Sequence, residues 1–280
     1  MKRILLLVFI IPVITHAQSR FHLTLSGGFT NYYGDLQSKP LTLDQAHGSF
    51  GVGIKYDVTS HFAVRGGILY GRISADDKRN KASLRFRNLN FETKLVEANL
   101  LAEYSLFDLE SKTFTPYVFG GVALFHFNPF TYDSSGSRHF LKPLSTEGQG
   151  LSQYPDRKEY KLTQFALPFG AGIRLRVSEK VTLAYEFALR KTFTDYIDDV
   201  SATYVDQFVL QAARGSKAAE LAYRGDELKD GNPIYPDDGT VRGGADSKDW
   251  YYFSGITITV GIGQLFFHGG GKGRISCPKF

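Results

Sequence analysis

Residues 164–177 alternate without a break between large apolar side chains and small or charged ones. Phe165, Leu167, Phe169, Ala171, Ile173, Leu175 and Val177 share one parity; Gln164, Ala166, Pro168, Gly170, Gly172, Arg174 and Arg176 share the other. Successive side chains of an extended strand point to opposite faces, so the segment predicts a strand with one apolar side and one small or charged side. Pro168 removes a ladder donor in mid-strand, and a bulge is expected there. Residues 181–190 repeat the pattern, with Val181, Leu183, Tyr185, Phe187 and Leu189 against Thr182, Ala184, Glu186, Ala188 and Arg190. Residues 49–58 repeat it again, setting Phe50, Val52, Ile54, Tyr56 and Val58 against Ser49, Gly51, Gly53, Lys55 and Asp57.

Weaker alternation marks 20–33, 61–72, 91–107, 114–128 and 250–266. The total is about eight strands, each long enough to cross a bilayer at a tilt. Gaps after the second, fourth and sixth strands are tight, near Thr59-Ser60, Asp108 to Lys112 and Ser178 to Lys180. Gaps after the first, third, fifth and seventh are long, about 34–47, 73–90, 129–161 and 194–249. Short turns at one end and long loops at the other are the habit of bacterial outer-membrane barrels, and a soluble sandwich has no reason to sort its loops this way. The expected fold is therefore all-β, an eight-stranded antiparallel transmembrane barrel with long extracellular loops. One segment of the last loop, Asp199 to Gly215, reads as a helix. Asp199 or Ser201 is its cap, Val205, Phe208, Val209, Ala212 and Ala213 lie on one side, and Gly215 is the stop.

Aromatics gather near strand ends: Tyr32, Tyr33, Phe62, Tyr70, Phe107, Phe114, Tyr117, Phe125, Phe127, Phe193, Trp250 to Phe253, Phe266 and Phe267. Such rings favour the headgroup level, so two girdles are expected. Export fits this architecture. Met1-Lys2-Arg3 is a short basic stretch, Ile4 to Ile14 is apolar, and Thr15-His16-Ala17 is a cleavage site, the layout of a signal peptide over residues 1–17. The expected domains are then a barrel over 18–267 and a periplasmic tail over 268–280. The even strand count returns both termini to the periplasm. The chain has a single cysteine, Cys277, so no internal disulfide can form. It is either a free thiol or a bond to another chain. A net charge of +5 is too small to argue for nucleic acid, which an exported chain would not meet.

An eight-stranded barrel has its interior filled by side chains. The small-and-charged parity points Lys55, Arg65, Arg174, Arg176 and Arg190 inward, with Glu97, Glu103 and Glu186. Buried charges persist only when paired, so a lumen of ion pairs is expected rather than a catalytic or conducting carboxylate. Chemistry elsewhere is thin. His126, His139, Ser135 and Ser137 are near neighbours in sequence with nothing further to make them a triad. His22, His47, His61 and His268 lack metal-ligand spacing. Asp195, Asp198, Asp199 and Asp206, or Asp237 and Asp238, do not match a calcium loop, and capping and solubility account for them more simply. No cofactor is expected.

Three segments resemble a known family. Gly27-Gly28-Phe29-Thr30-Asn31-Tyr32-Tyr33-Gly34-Asp35-Leu36 is similar to the start of the PorG-like outer-membrane barrels of Bacteroidetes. Asp199-Val200-Ser201-Ala202-Thr203-Tyr204-Val205-Asp206 looks like their segment after the seventh strand. Arg242-Gly243, followed by Asp249-Trp250-Tyr251, resembles their C-terminal signature. The resemblance implies a non-enzymatic barrel in the outer membrane, in contact with its lipid, that serves the type IX secretion system. There it would associate with a periplasmic ring of PorK-like and PorN-like proteins. Contacts with such a ring are expected from the three tight turns or the tail, with Arg274, Cys277 and Lys279 as candidates; the alternative is a tail without a partner. Two other functions stay open: a surface-exposed binding barrel acting through its long loops, and an outer-membrane enzyme that modifies lipid.

Overall fold

A computed structural model describes residues 20–262, Asp246 excepted. The expected signal peptide and the tail residues Arg274, Cys277 and Lys279 lie outside the described residues. Ten strands occur among them: β1 (Phe21–Tyr33), β2 (His47–Asp57), β3 (Phe62–Asp76), β4 (Asn90–Ser105), β5 (Phe114–His126), β6 (Phe130–Tyr132), β7 (Arg138–Phe140), β8 (Thr163–Arg176), β9 (Val181–Thr192) and β10 (Trp250–Gly261). Eight of them form a closed antiparallel barrel. Each of β1 to β4 pairs with the next, β5 pairs with β8, β8 with β9, β9 with β10, and β10 returns to β1 from Tyr33↔Trp250 to His22↔Gly261. Closure leaves no barrel strand with an unpaired edge.

Parity decides which side each residue faces. Phe165, Phe50, Ile68 and Leu100 are 55–67% exposed on the outside, whereas Glu97, Leu95 and Phe125 are fully buried within. A continuous apolar belt of this extent on the outer wall, around a polar interior, reverses the arrangement of a water-soluble protein. Among the described residues no helix is long and apolar enough to cross a membrane.

Several features differ from the sequence reading. Pro168 makes no bulge. The β5–β8 register runs from Phe114↔Leu175 to Gly120↔Phe169 and resumes at Ala123↔Ala166 with no offset. On its other side Pro168 pairs with Arg190 in an unbroken ladder. The missing amide costs two rungs but does not displace the strand. The 129–161 loop contains the hairpin β6–β7, which continues from β4 through Glu92↔Phe130.

The last loop holds two short helices, α1 (Gln207–Arg214) and α2 (Ser216–Ala222), instead of one beginning near Asp199. The cap of α1 is Asp206, whose carboxylate accepts from the Val209 amide at 2.9 Å. Asp199 is unavailable for capping because its side chain is buried against Tyr160 and Thr146. Leu210 is the buried anchor of α1, and Phe208, expected to pack, is 76% exposed.

The aromatics divide by parity. Tyr32, Tyr117, Phe125, Phe127, Tyr251 and Phe253 are buried inside the protein, not in a girdle. The outward rings do form pairs near the strand ends, with Phe50–Tyr70 at 5.3 Å toward the long-loop end and Phe21–Tyr56 at 4.8 Å toward the short-turn end.

Candidate functional site

The barrel interior contains a connected lattice of charges. Arg65 on β3 grips Glu186 on β9 with two bonds, Nη1 to Oε1 at 2.7 Å and Nη2 to Oε2 at 3.0 Å. Its Nε lies 2.9 Å from Glu103 Oε1, an ionic contact without an aligned hydrogen bond. Arg174 completes Glu103 at 2.6 Å, and its guanidinium stacks 4.1 Å from the Tyr117 ring centre. The Tyr117 hydroxyl donates to Glu186 at 2.7 Å. Gly172 makes room for this ring, since a Cβ there would meet it at 2.7 Å.

A second cluster lies toward the long-loop end. Arg190 donates to Glu97 at 3.0 and 3.3 Å, and Asn99 and Tyr251 donate to the same carboxylate at 2.7 and 2.8 Å. At the opposite mouth Lys55 pairs with Asp57 at 2.8 Å, and His22 lies 2.6 Å from the same carboxylate. Charge-assisted bonds of this kind offset the desolvation of the buried ions, although Glu103 Oε1 and Arg174 Nε make no aligned hydrogen bond.

Seven of the eight charged residues read from parity therefore meet in the lumen. Arg176 does not. It is exposed at the last rung of β8 and donates to the Glu110 carbonyl at 3.2 Å, beyond the point where the wall encloses a side chain. Sequence reasoning missed Tyr117, Tyr251, Asn99, Asp57 and His22. Tyr117 and Tyr251 have inward parity on their strands and could have been found by sorting aromatics as strictly as charges.

The long loops close the barrel. Their core is continuous with the lumen and includes Leu36, Leu89, Phe127, Leu141, Tyr160, Ile197 and Val200. Arg242 ties the fourth loop to the third through Glu147 at 2.9 Å, and reaches the carbonyls of Asp199 and Ala222 at 2.6 and 3.1 Å. Glu147 also accepts from the Ser201 and Ala202 amides. Arg87 holds Asp77 with two bonds and reaches the carbonyls of Asp35 and Arg242, which joins the second loop to the first and fourth. Of the aspartates read as caps and solubilising groups, Asp206 does cap α1 and Asp237 and Asp238 are exposed, but Asp195, Asp198 and Asp199 are buried below 4% exposure, as is Asp249. Their partners are backbone amides and hydroxyls, some within the same loop, such as Ser201 for Asp195, and others from distant segments, such as Tyr32 for Asp198 and Asp249 and Tyr160 for Asp199, which local sequence does not reveal.

The Tyr32 hydroxyl lies 2.7 Å from Asp198 Oδ2 and 2.6 Å from Asp249 Oδ1. One hydroxyl proton can serve only one of these, so the second contact needs a proton on a carboxyl. Burial raises both aspartates well above the ordinary carboxylate range, and nearby charge adds to it, that of Asp249 at Asp198 and that of Asp195 at Asp249. Burial also pushes Asp199 to about 6 and Asp195 to about 7. A carboxyl raised in the folded state stabilises that state fully below its unfolded value of about 4 and loses this contribution as pH rises through the folded value. The loop cap should thus be tightest in mild acid and loosen between about pH 4 and 7. Proteolysis of the 193–249 loop, referenced to the denatured chain at each pH, should accelerate from pH 5 to pH 8. In Asp195→Asn and Asp199→Asn the acceleration should shrink, and an unchanged profile would rule these groups out.

No catalytic relay is assembled around the histidines named from sequence. His126 bonds the Thr163 hydroxyl at 2.9 Å on the outer wall. His139 and Ser135 both turn to Asp133, at 2.9 and 2.6 Å, so the serine hydroxyl faces the carboxylate and not the imidazole. Among the described residues no group of three or more His, Cys, Asp or Glu is arranged to hold a metal ion.

No curated protein matches the sequence. Among solved structures, neisserial surface protein A is 12% identical, with 88% of this chain and 99% of that one covered and a TM-score of 0.42. The attachment invasion locus protein Ail of Yersinia pestis is 8% identical over 86% and 99%, with a TM-score of 0.39. The outer membrane protein OprG of Pseudomonas aeruginosa is 11% identical over 86% and 97%, with a TM-score of 0.36. A family model covers residues 2–211 of the 280, and the chain belongs to that family, described as a domain of unknown function, DUF6089.

Proposed function

We propose that this protein is a non-conducting, non-enzymatic outer-membrane barrel that anchors envelope machinery, with a periplasmic ring of the type IX secretion system as its partner. The observation that carries the reading is the filled lumen. Four cations, Lys55, Arg65, Arg174 and Arg190, face four carboxylates, Asp57, Glu97, Glu103 and Glu186, and the loop core seals one end. Such a cylinder holds a fixed position in a bilayer without offering a path through it. The secretion partner is supported by the resemblance of the first strand, the segment after the seventh long strand and the Arg242–Tyr251 region to PorG-like barrels.

In planar bilayers the purified chain should show no steady conductance above that of the lipid. In cells, its deletion should stop export by the secretion system, and ring proteins should co-purify with it. Stepwise channel currents, or intact export in a clean deletion, would refute the reading. A second role, binding at the cell surface, is favoured by exposed apolar side chains on the loop cap: Phe208, Ile234 and Val241 are each more than 70% or about 70% exposed. Under that role, trimming residues 216–248 would remove function while export stayed intact.

A further inference from the structure

The outer wall of β2 and β3 carries a shallow apolar groove. On β3 the outward residues run Phe62, Val64, Gly66, Ile68, Tyr70 and Arg72 from the short-turn end to the long-loop end. Phe62 and Tyr70 thus bracket the apolar band, and Gly66 stands at its middle. With no side chain there, a groove of about 600 Å³ opens between Leu23, Ile54, Tyr56, Val64 and Ile68. The groove was not shaped by crowding. A Cβ on Gly66 would meet nothing closer than 3.8 Å.

Directly past the upper aromatic pair, Arg72 and Lys94 stand opposite each other across the β3–β4 ladder, both exposed on the outward face. Like charges in facing positions repel. Glu92 answers only one of them, at 3.2 Å from Arg72, and Lys94 has no ion-pair partner among the described residues. The adjoining turn adds Lys78 and Arg79, both exposed, against Asp76, whose carboxylate caps the Lys78 amide. From Gly66 to Arg72 is six residues, roughly 20 Å along the strand. On a strand tilted by about 40° that length rises roughly 15 Å, half the thickness of the hydrocarbon core, which puts Arg72 at the edge of the core when Gly66 is at its middle.

We propose that this wall is a specific site for one phosphate-bearing membrane lipid, with an acyl chain in the Gly66 groove and the phosphate held by Arg72 and Lys94. The proposal rests on the outer-membrane reading above. The apolar groove fits hydrocarbon at that depth, and the surplus of positive charge at the long-loop end of β3 and β4 supplies the complement to an anionic headgroup.

Native mass spectrometry of the full chain in detergent tests it with three probes. Dipalmitoylphosphatidic acid carries both features, dipalmitoylglycerol has the chains without phosphate, and glycerol 3-phosphate has the phosphate without chains. One phosphatidic acid per barrel should be retained in preference to the diacylglycerol. Arg72→Gln should weaken retention about fivefold, and the double variant with Lys94→Gln roughly thirtyfold. Gly66→Phe should reduce phosphatidic acid retention and leave the response to glycerol 3-phosphate unchanged. Insertion into dioleoylphosphatidylcholine vesicles is checked for each variant, and Gly66→Val replaces the phenylalanine if that chain fails to insert. Equal retention of phosphatidic acid and diacylglycerol, no effect of either class of variant, or displacement by glycerol 3-phosphate at equal concentration would overturn the site. A wild-type chain that does not insert into vesicles would instead overturn the outer-membrane reading itself.

Discussion

Arg65→Met is expected to lower folding stability by about 3–5 kcal/mol, the usual cost of removing one partner from a buried charged network. Among the described residues Arg65 is the only cation that touches both Glu103 and Glu186. With a methionine there, Glu103 keeps Arg174 and Glu186 keeps only the Tyr117 hydroxyl. The second carboxylate would then be buried with its charge unanswered, and this residual charge, more than the lost attraction, accounts for most of the cost. Adding Glu186→Gln should recover part of the loss, because the amide can still bond Tyr117 without carrying charge. Urea unfolding in lipid vesicles, followed through Trp250, the single tryptophan of the chain, reads this directly. Coincident midpoints for the wild type and Arg65→Met would mean that the lattice contributes nothing to stability and serves only to exclude water.

Arg242→Met should give a loss of similar size but in a different place. The guanidinium holds Glu147, which has no exposed surface, and two carbonyls from separate segments of the last loop. Removing it leaves the buried Glu147 carboxylate without a cation, held by the Ser201 and Ala202 amides and the Tyr196 hydroxyl. The affected elements lie in the loop cap, whereas the β-ladders of the barrel share none of these bonds. Cleavage within 193–249 should therefore accelerate by roughly a hundredfold or more, through local opening, while the urea midpoint of the barrel shifts little. A parallel fall in both would show that cap and barrel open as one unit. The same measurement at pH 5 and pH 8 joins this variant to the titration of Asp195 and Asp199, since both act on the same loop contacts.

The barrel was legible because its signal is local and repeated. Leu167 and Arg174 are placed by parity alone once residues 163–176 are extended, and the alternation of short turns with long loops specifies an even, up-and-down strand order. The lumen charges were legible for the same reason, and Arg176 escaped because parity gives the direction of a side chain but not the height at which the wall ends. Pro168 was misread for the opposite reason. A proline on an isolated strand implies a bulge, but here it is flanked on one side by the intact β9 ladder, which holds the strand in register.

Sequence by itself determined the period-two wall, the inward and outward faces and the excess of buried charge, because strand geometry couples each side chain's direction to its position in the chain. Only the tertiary structure decided that the long loops form a packed cap, that Asp198 and Asp249 converge on Tyr32, and that Arg242 reaches Glu147. Those contacts join residues 95 to 217 positions apart. Irregular segments have no fixed repeat to point their side chains, so their partners exist only once barrel closure has brought four loops to the same end of the cylinder.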